Sequence, residues 1–355
     1  MRILDRYIAI TVVTHFAFAL AALLAVFTTI NMMQELRDVG TGAYGAGQAL
    51  WFTLLTAPTE AYQLFPAAAL VGGVSALGSL AARNEIVSMW AAGVSKWRII
   101  LAVLQAAAVL VLLAVVIGEL AAAPLAQRAS RERSVSLSEG KTMSSAKGLW
   151  ARDGRRFINI RHPTDGKTVH DVFLYEFDEH QVMQSFSHAR DAVYDRKRWV
   201  VEDVIENRIT GDGVVSERSA HKELQVSLTP KQIRLVSLPP EYLSLVDLWR
   251  SSADLAQRRE SPHRYQLAFW NRATIPIVSL IMLALAVPLV LTALRGARLG
   301  QRIVIGALLG VGFQMFAETF ATFGFAYGLA PAVSALLPMI VAAAVAAVGI
   351  SRLQT

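Results

Sequence analysis

The 355-residue chain contains no cysteine, which excludes disulfides, thiolate nucleophiles and zinc–thiolate sites. That absence leaves the compartment open, because an oxidising one permits disulfides without requiring them. Nucleotide machinery is missing too. Nothing matches G-x-x-x-x-G-K-[ST], so driven transport would draw its energy from another protein. No G-x-S-x-G elbow occurs, and Gly93-Val94-Ser95 and Val74-Ser75-Ala76 lie in helical contexts without a histidine partner. Six of the seven histidines (His162, His170, His180, His188, His221 and His263) fall within 124–264, none in an H-x-x-x-H pair. Solvated histidines are preferred there to a metal site.

Charge is the other scarcity. Only 17% of residues are charged, and 43 of those 61 residues lie between 124 and 264. The remaining 214 residues are nearly hydrocarbon, with charges at the ends of apolar runs. The net charge of +7 does not point to nucleic acid, because part of the excess sits in short loops between apolar runs.

A span of the ~30 Å hydrocarbon layer needs roughly 20 residues. Ile8–Met33 qualifies, interrupted only by His15, and is too long for a secretory leader, whose apolar core is about 7–15 residues. Further runs are Ala61–Ala82, extending back past Glu60 and Pro58 to Ala49, then Ile99–Gly118 and Ala273–Leu294. Ile303–Ala317 ends at Glu318, and the charge-free Thr319–Ser351 breaks at Tyr327-Gly328-Leu329-Ala330-Pro331. Six transmembrane helices are expected, three on each side of the charged block. With a cytoplasmic N-terminus, the inner loops carry Arg2, Arg6, Arg83, Lys96, Arg98, Arg295, Arg298, Arg302 and Arg352 against Asp5 and Glu85. The opposite loop has Arg37 balanced by Glu35 and Asp38, so both termini are expected inside and the charged block outside.

Within that block, period-2 alternation indicates strands. Phe173, Tyr175 and Phe177 share one face, and Trp199, Val201 and Asp203 alternate with Val200, Glu202 and Val204. Turns are expected at 152–155, 165–167, 195–198 and 211–213, in an all-β, jelly-roll-like module. Residues 241–264 read as helical and lead back to the membrane. The division is therefore 1–123 with three transmembrane helices, 124–264 with the β module and its linkers, and 265–355 with three more.

Three groups of side chains are candidates for function. In the loop before the third span, Ile86, Met89 and Trp90 fall at helical spacing between Glu85 and the stop at Gly93. A short amphipathic helix at about 83–93 fits either a partner's groove or the membrane surface. Arg37, Arg128, Arg131, Arg133, Arg264 and Arg272 lie where helices meet the outer surface, and arginine geometry suits phosphate. Glu60 and Glu318 are intramembrane acids; Glu318 lies ~24 Å along the fifth helix and should face a cavity or a partner.

The order of three helices, β module and three helices resembles the LptF/LptG family of lipopolysaccharide export permeases, nearest to its LptG branch. The likeness covers the whole chain. Its strings are Leu4-Asp5-Arg6-Tyr7-Ile8, Gly148 through Gly154 (GLWARDG), Arg264-Tyr265-Gln266-Leu267, Ile117-Gly118-Glu119 and Ala123-Pro124. Glu85 through Gly93 is similar to the family's coupling helix. The resemblance implies a non-catalytic permease subunit of an ABC-type transporter. Its partners would be an LptF-like subunit, a cytoplasmic ATPase dimer that uses ATP, and a single-span LptC-like protein. No cofactor is implied on this chain. Carried over by position, Glu85 would meet the ATPase, and Arg37, Arg131 and Arg133 would lie near lipid phosphates. Where relatives often carry lysine at the end of helix one, this chain has Asn31. Other readings are an LptF-like paralogue, a proton-coupled transporter using Glu60 and Glu318, and a scaffold recruiting a protein to the β module.

Overall fold

The computed structural model describes residues 3–138, 149–163, 168–180, 182–195, 198–210, 213–224, 230, 233, 238–257, 261–293 and 299–352. Arg2, Arg295, Arg298, Gly148 and the expected turn at 165–167 lie outside the described residues, as do parts of the turns at 195–198 and 211–213. The chain folds as two units: Met1–Gln34 with Thr53–Ala126 and Pro240–Thr355, and Glu35–Phe52 with Gln127–Pro239.

Helices dominate the first unit: α1 (Ile3–Glu35, reaching into the second unit), α2 (Ala46–Ala82), α3 (Glu85–Ala91) and α4 (Lys96–Val116). A π-helical turn, Ile117–Ala122, joins α4 to α5 (Ala123–Ser138), which belongs to the second unit from Gln127 on. After the β-strands come α6 (Leu245–Gln257), α7 (His263–Pro288), α8 (Leu299–Ala326) and α9 (Pro331–Ser351). Six of these helices are long and apolar enough to cross a membrane, as the charge-free runs required. Helix α8 runs on through Glu318, because one carboxylate does not break helical hydrogen bonding. The α8–α9 break falls at Tyr327–Ala330, where Gly328 adopts φ +69° and Pro331 opens the next helix.

Packing among the spans is uneven. The most apolar stretch of α2 is 89% buried inside the protein, against 17% for α1 and 11% for α8. Helix α2 is therefore the central post of the first unit. Phe65, Leu70 and Leu77 of α2 meet Ile8, Val12 and Phe16 of α1, Val103 and Leu110 of α4, and Leu283 of α7 in one core. Phe16 and Phe65 stack obliquely with centroids 5.1 Å apart. Gly72 permits this close approach: a β-carbon there would lie 2.5 Å from the Phe16 Cα.

In the second unit, β1 (Leu149–Asp153), β2 (Arg156–Pro163), β3 (Thr168–Phe177), β4 (Met183–Asp195), β5 (Arg198–Thr210) and β6 (Gly213–Leu224) form one antiparallel sheet. Strands pair in chain order, so the described part of the expected all-β insertion is a meander. Ile158, Val172, Leu174, Ala189, Trp199, Val201 and Ile233 form its apolar core.

One alternation reading is corrected. Period 2 from Trp199 and Val201 places Asp203 inside, yet the buried residue is Val204. The inward positions are spaced by three in three adjacent strands: Val169 and Val172, Ala189 and Ala192, Val201 and Val204. Each strand carries two successive non-core residues there, His170-Asp171, Arg190-Asp191 and Glu202-Asp203. Asp171 (φ 54°) and Asp203 (φ 51°) take the left-handed conformation that such bulges use. Asp203 is 2.7 Å from both Arg190 and Arg218, which hold its carboxyl below the usual range, with Arg218 the larger influence.

Gly72→Val should lower stability by about 3 kcal/mol, since the obstacle is backbone and cannot rotate away. Gly312→Val, with open space around it, should not. Thermal unfolding of both variants in detergent tests this, and equal midpoints would contradict the close-approach account.

Candidate functional site

Three constellations emerge around the candidate residues. The first is α3. Asn84 precedes it at φ 57°, Gly93 follows it at φ +82°, and the Ser95 hydroxyl then caps α4 by accepting from the Arg98 N–H at 3.3 Å. Ile86 is buried, and Met89 and Trp90 pack against the same core, so the apolar stripe of α3 is covered by the chain's own helices. What α3 turns outward is Val87, Ser88 and Ala91. Glu85 is not loose: Tyr7 donates to it at 2.8 Å, and Arg83 lies 3.5 Å away.

The second constellation lies in the second unit. Arg131 and Arg133 line a recess of about 410 Å³ together with Tyr44, Trp51 and Phe52. Arg133 donates from Nε to Glu35 at 2.8 Å and from its terminal nitrogen to Asp38. Its guanidinium stands 5.4 Å from the Phe52 ring centroid and 5.8 Å from that of Tyr44. Tyr44 donates to Glu35 at 2.8 Å, and burial first, then that hydrogen bond, pushes its phenol up. The hydroxyl therefore stays protonated. Arg37, in the turn Leu36–Asp38, is exposed. Arg131 is exposed at the recess as well. Arg133 is a clamp on the α1–α2 connection, whereas Arg37 and Arg131 present their side chains outward.

Sequence reasoning placed Arg272 among the arginines where helices meet the outer surface, as a candidate for phosphate. It is 6% exposed and belongs to the first unit's interior. Its Nε donates to Glu119 at 3.2 Å, one terminal nitrogen to the Glu241 carbonyl at 3.3 Å, and the other to the Gly118 carbonyl. The Tyr62 ring lies 5.0 Å away, and the Tyr62 hydroxyl donates to the Arg272 carbonyl at 2.8 Å. Glu119 also accepts from the Leu245 N–H at the start of α6. The π-helical turn makes this possible, since its irregular carbonyls need donors: Arg272 serves Gly118, and Thr59 serves Ala122 at 3.1 Å.

The two intramembrane acids are separate. Glu60 accepts from Asn31. Glu318 accepts from Gln314 at 3.2 Å and lines a cavity of about 490 Å³. Arg128 pairs along α5 with Glu132 at 2.7 Å. Among the described residues, no cluster of three or more His, Asp or Glu is placed to hold a metal ion.

Six helices long and apolar enough to span a membrane, a short connecting helix and an inserted antiparallel sheet define a polytopic helical membrane protein. The family described as "Lipopolysaccharide export system permease LptF/LptG" matches residues 6–352. The chain is 33% identical over 337 residues to the lipopolysaccharide export system permease protein LptG of Haemophilus influenzae, covering 94% of each chain. It is 32% identical over 339 residues to the LptG of Escherichia coli K12, covering 95% of this chain and 94% of that one. The chain belongs to the LptF/LptG family.

Removing one partner of a buried ion pair costs about 3–5 kcal/mol. Because Glu119 keeps a quarter of its side chain exposed, Arg272→Met should lower unfolding stability by about 3 kcal/mol, at the lower end of that range. Denaturant titration in detergent checks it. A change under about 0.5 kcal/mol, typical of a surface site, would show that the pair is not structural.

Proposed function

We propose that this chain is the LptG-type permease subunit of an ATP-driven lipopolysaccharide exporter in the inner membrane. It pairs with an LptF-like subunit and extracts the lipid from the outer leaflet of the inner membrane. Its β module hands the lipid to a periplasmic bridge, and an LptC-like single-span protein is the remaining partner. The observation that carries this reading is a match to LptG relatives along nearly the full length, on a chain with six spans and an inserted sheet. The physical need agrees. Exposing one ~14-carbon acyl chain to water costs about 10 kcal/mol, so a lipid with several chains needs a covered apolar route and an external energy source.

Both termini and α3 then lie on the cytoplasmic side, following the basic loops, and the sheet is periplasmic. The ATPase docks on α3, where Val87, Ser88 and Ala91 form the contact and Ile86, Met89 and Trp90 set the helix in place. Glu85, fixed by Tyr7, borders that surface. ATP binds to the partner, and this chain carries no cofactor. Arg131 and Arg37 meet lipid phosphates, and Arg133 holds the recess in shape. The sparsely buried α1 and α8 offer the faces for the LptF-like subunit. The proton-coupled alternative gains no support from Glu60 and Glu318, since Glu60 accepts from Asn31 and Glu318 from Gln314.

Two measurements test the proposal. Glu85→Ala should reduce ATPase co-purification or ATP-driven lipid release severalfold, and a variant that assembles and transports like the parent refutes the role of α3. Arg131→Glu should weaken photocrosslinking to lipopolysaccharide, and unchanged crosslinking removes it from the headgroup contact.

A further inference from the structure

The cavity of about 490 Å³ in the first unit is bounded by α2, α7, α8 and α9, by Leu248 of α6 and by the turn Pro240–Tyr242, and lies within one chain. Its volume falls in the range of small-molecule sites, ~300–1,000 Å³. Helix directions give it a polarity. Helix α7 starts where the chain returns from the β insertion, and its lining residues run from Arg264 and Asn271 to Ile275 and Val278. Helix α8 comes the other way, so Phe313 is deep, with Gln314, Glu318 and Thr322 progressively nearer the insertion end. On α9, Ser334 lies near that end and Met339 deeper. The deepest lining residue of each of the three helices, Val278, Phe313 and Met339, is apolar, whereas the outermost, Arg264, Thr322 and Ser334, are polar.

From Arg264 to Val278 the drop is ~21 Å along the helix, against ~15 Å for half the hydrocarbon layer. The cavity thus runs from the interface to about the middle of the membrane. Its charges are mixed. Arg264 is exposed at the mouth, Glu241 and Glu318 supply carboxylates, and the buried Arg272 is already engaged with Glu119 and two carbonyls.

We propose that this cavity holds one resident zwitterionic phospholipid with a primary ammonium in its headgroup. One acyl chain lies between Val278, Phe313 and Met339. The phosphate faces Arg264 and the ammonium faces Glu318. Among the described lining residues, an anionic headgroup without the ammonium meets the carboxylates of Glu241 and Glu318 against Arg264, so it is the poorer ligand. A free phosphate leaves the apolar lower half unfilled; the volume suits one acyl chain, so the second chain of the phospholipid stays outside the cavity, in the bilayer. The bound lipid braces α8 and α9 against the wall that contains Arg272, where the internal packing of α8 is sparse. This inference requires the membrane-spanning fold and does not rest on export activity.

The test is native mass spectrometry of the delipidated full-length complex after addition of phosphatidylethanolamine or phosphatidylglycerol in mixed micelles. One phosphatidylethanolamine per chain should survive activation that strips phosphatidylglycerol at least tenfold more. Ala335→Trp, which fills the cavity, should abolish the adduct; Leu308→Trp, on the outward face of α8, should keep it. Should Ala335→Trp not fold, Arg264→Glu at the exposed mouth decides, with loss of the adduct expected. No adduct on the parent, equal retention of the two lipids, or an adduct that persists in a folded cavity variant would overturn the proposal. Such a failure leaves the export reading standing, since that is judged on lipopolysaccharide crosslinking and ATP-driven release.

Discussion

A guanidinium sealed among membrane helices must find every acceptor inside the protein, and Arg272 does so with a carboxylate, two carbonyls and an aromatic face. In a medium of low dielectric an unpaired ion is costly, so these partners fix one another's positions. The π-helical turn at Ile117–Ala122 exposes carbonyls that a regular helix would satisfy, and Arg272 and Thr59 answer two of them. Glu119, held by Arg272, receives the first N–H of α6. One ion pair thus connects α4, α6 and α7 with the Tyr62 ring of α2. An irregular stretch of helix in the first unit is thus cross-braced by groups from three other helices.

How much of this was legible beforehand depends on the range of each interaction. The six spans were readable because hydrocarbon excludes charge, and the 18 charged residues outside 124–264 mark where helices leave the membrane. The short helix at Glu85–Ala91 was readable from its spacing. Which way its stripe turned was not, because a stripe fits a neighbour within the chain as well as a groove in another protein. The role of Arg133 was hidden for a different reason. Its carboxylate partners, Glu35 and Asp38, are 98 and 95 positions away, and no local pattern encodes such a pair. Arg272 carried one faint signal: Glu119 is an acid at the end of an otherwise charge-free run.

Strand alternation worked until the bulges. Up to Val201 the inward residues of β5 followed period 2, and the slip at Glu202-Asp203 moved every later residue to the other face. Single strands do not announce this. The three-strand register does, since His170-Asp171, Arg190-Asp191 and Glu202-Asp203 line up across the sheet. Aspartate is well suited to the two left-handed positions, and at Asp203 two arginines hold its carboxylate in place.

The contrast between α2 and its two sparsely buried companions also sets how the protein can deform. Pulling α2 aside would tear open most of the first unit's interior contacts. Swinging α1 or α8 sideways exchanges one hydrocarbon surface for another, and in a bilayer that trade is nearly neutral. Within the first unit α2 is therefore the fixed post, and α1 and α8, most of whose surface the rest of the chain leaves uncovered, are the helices that shift at least cost.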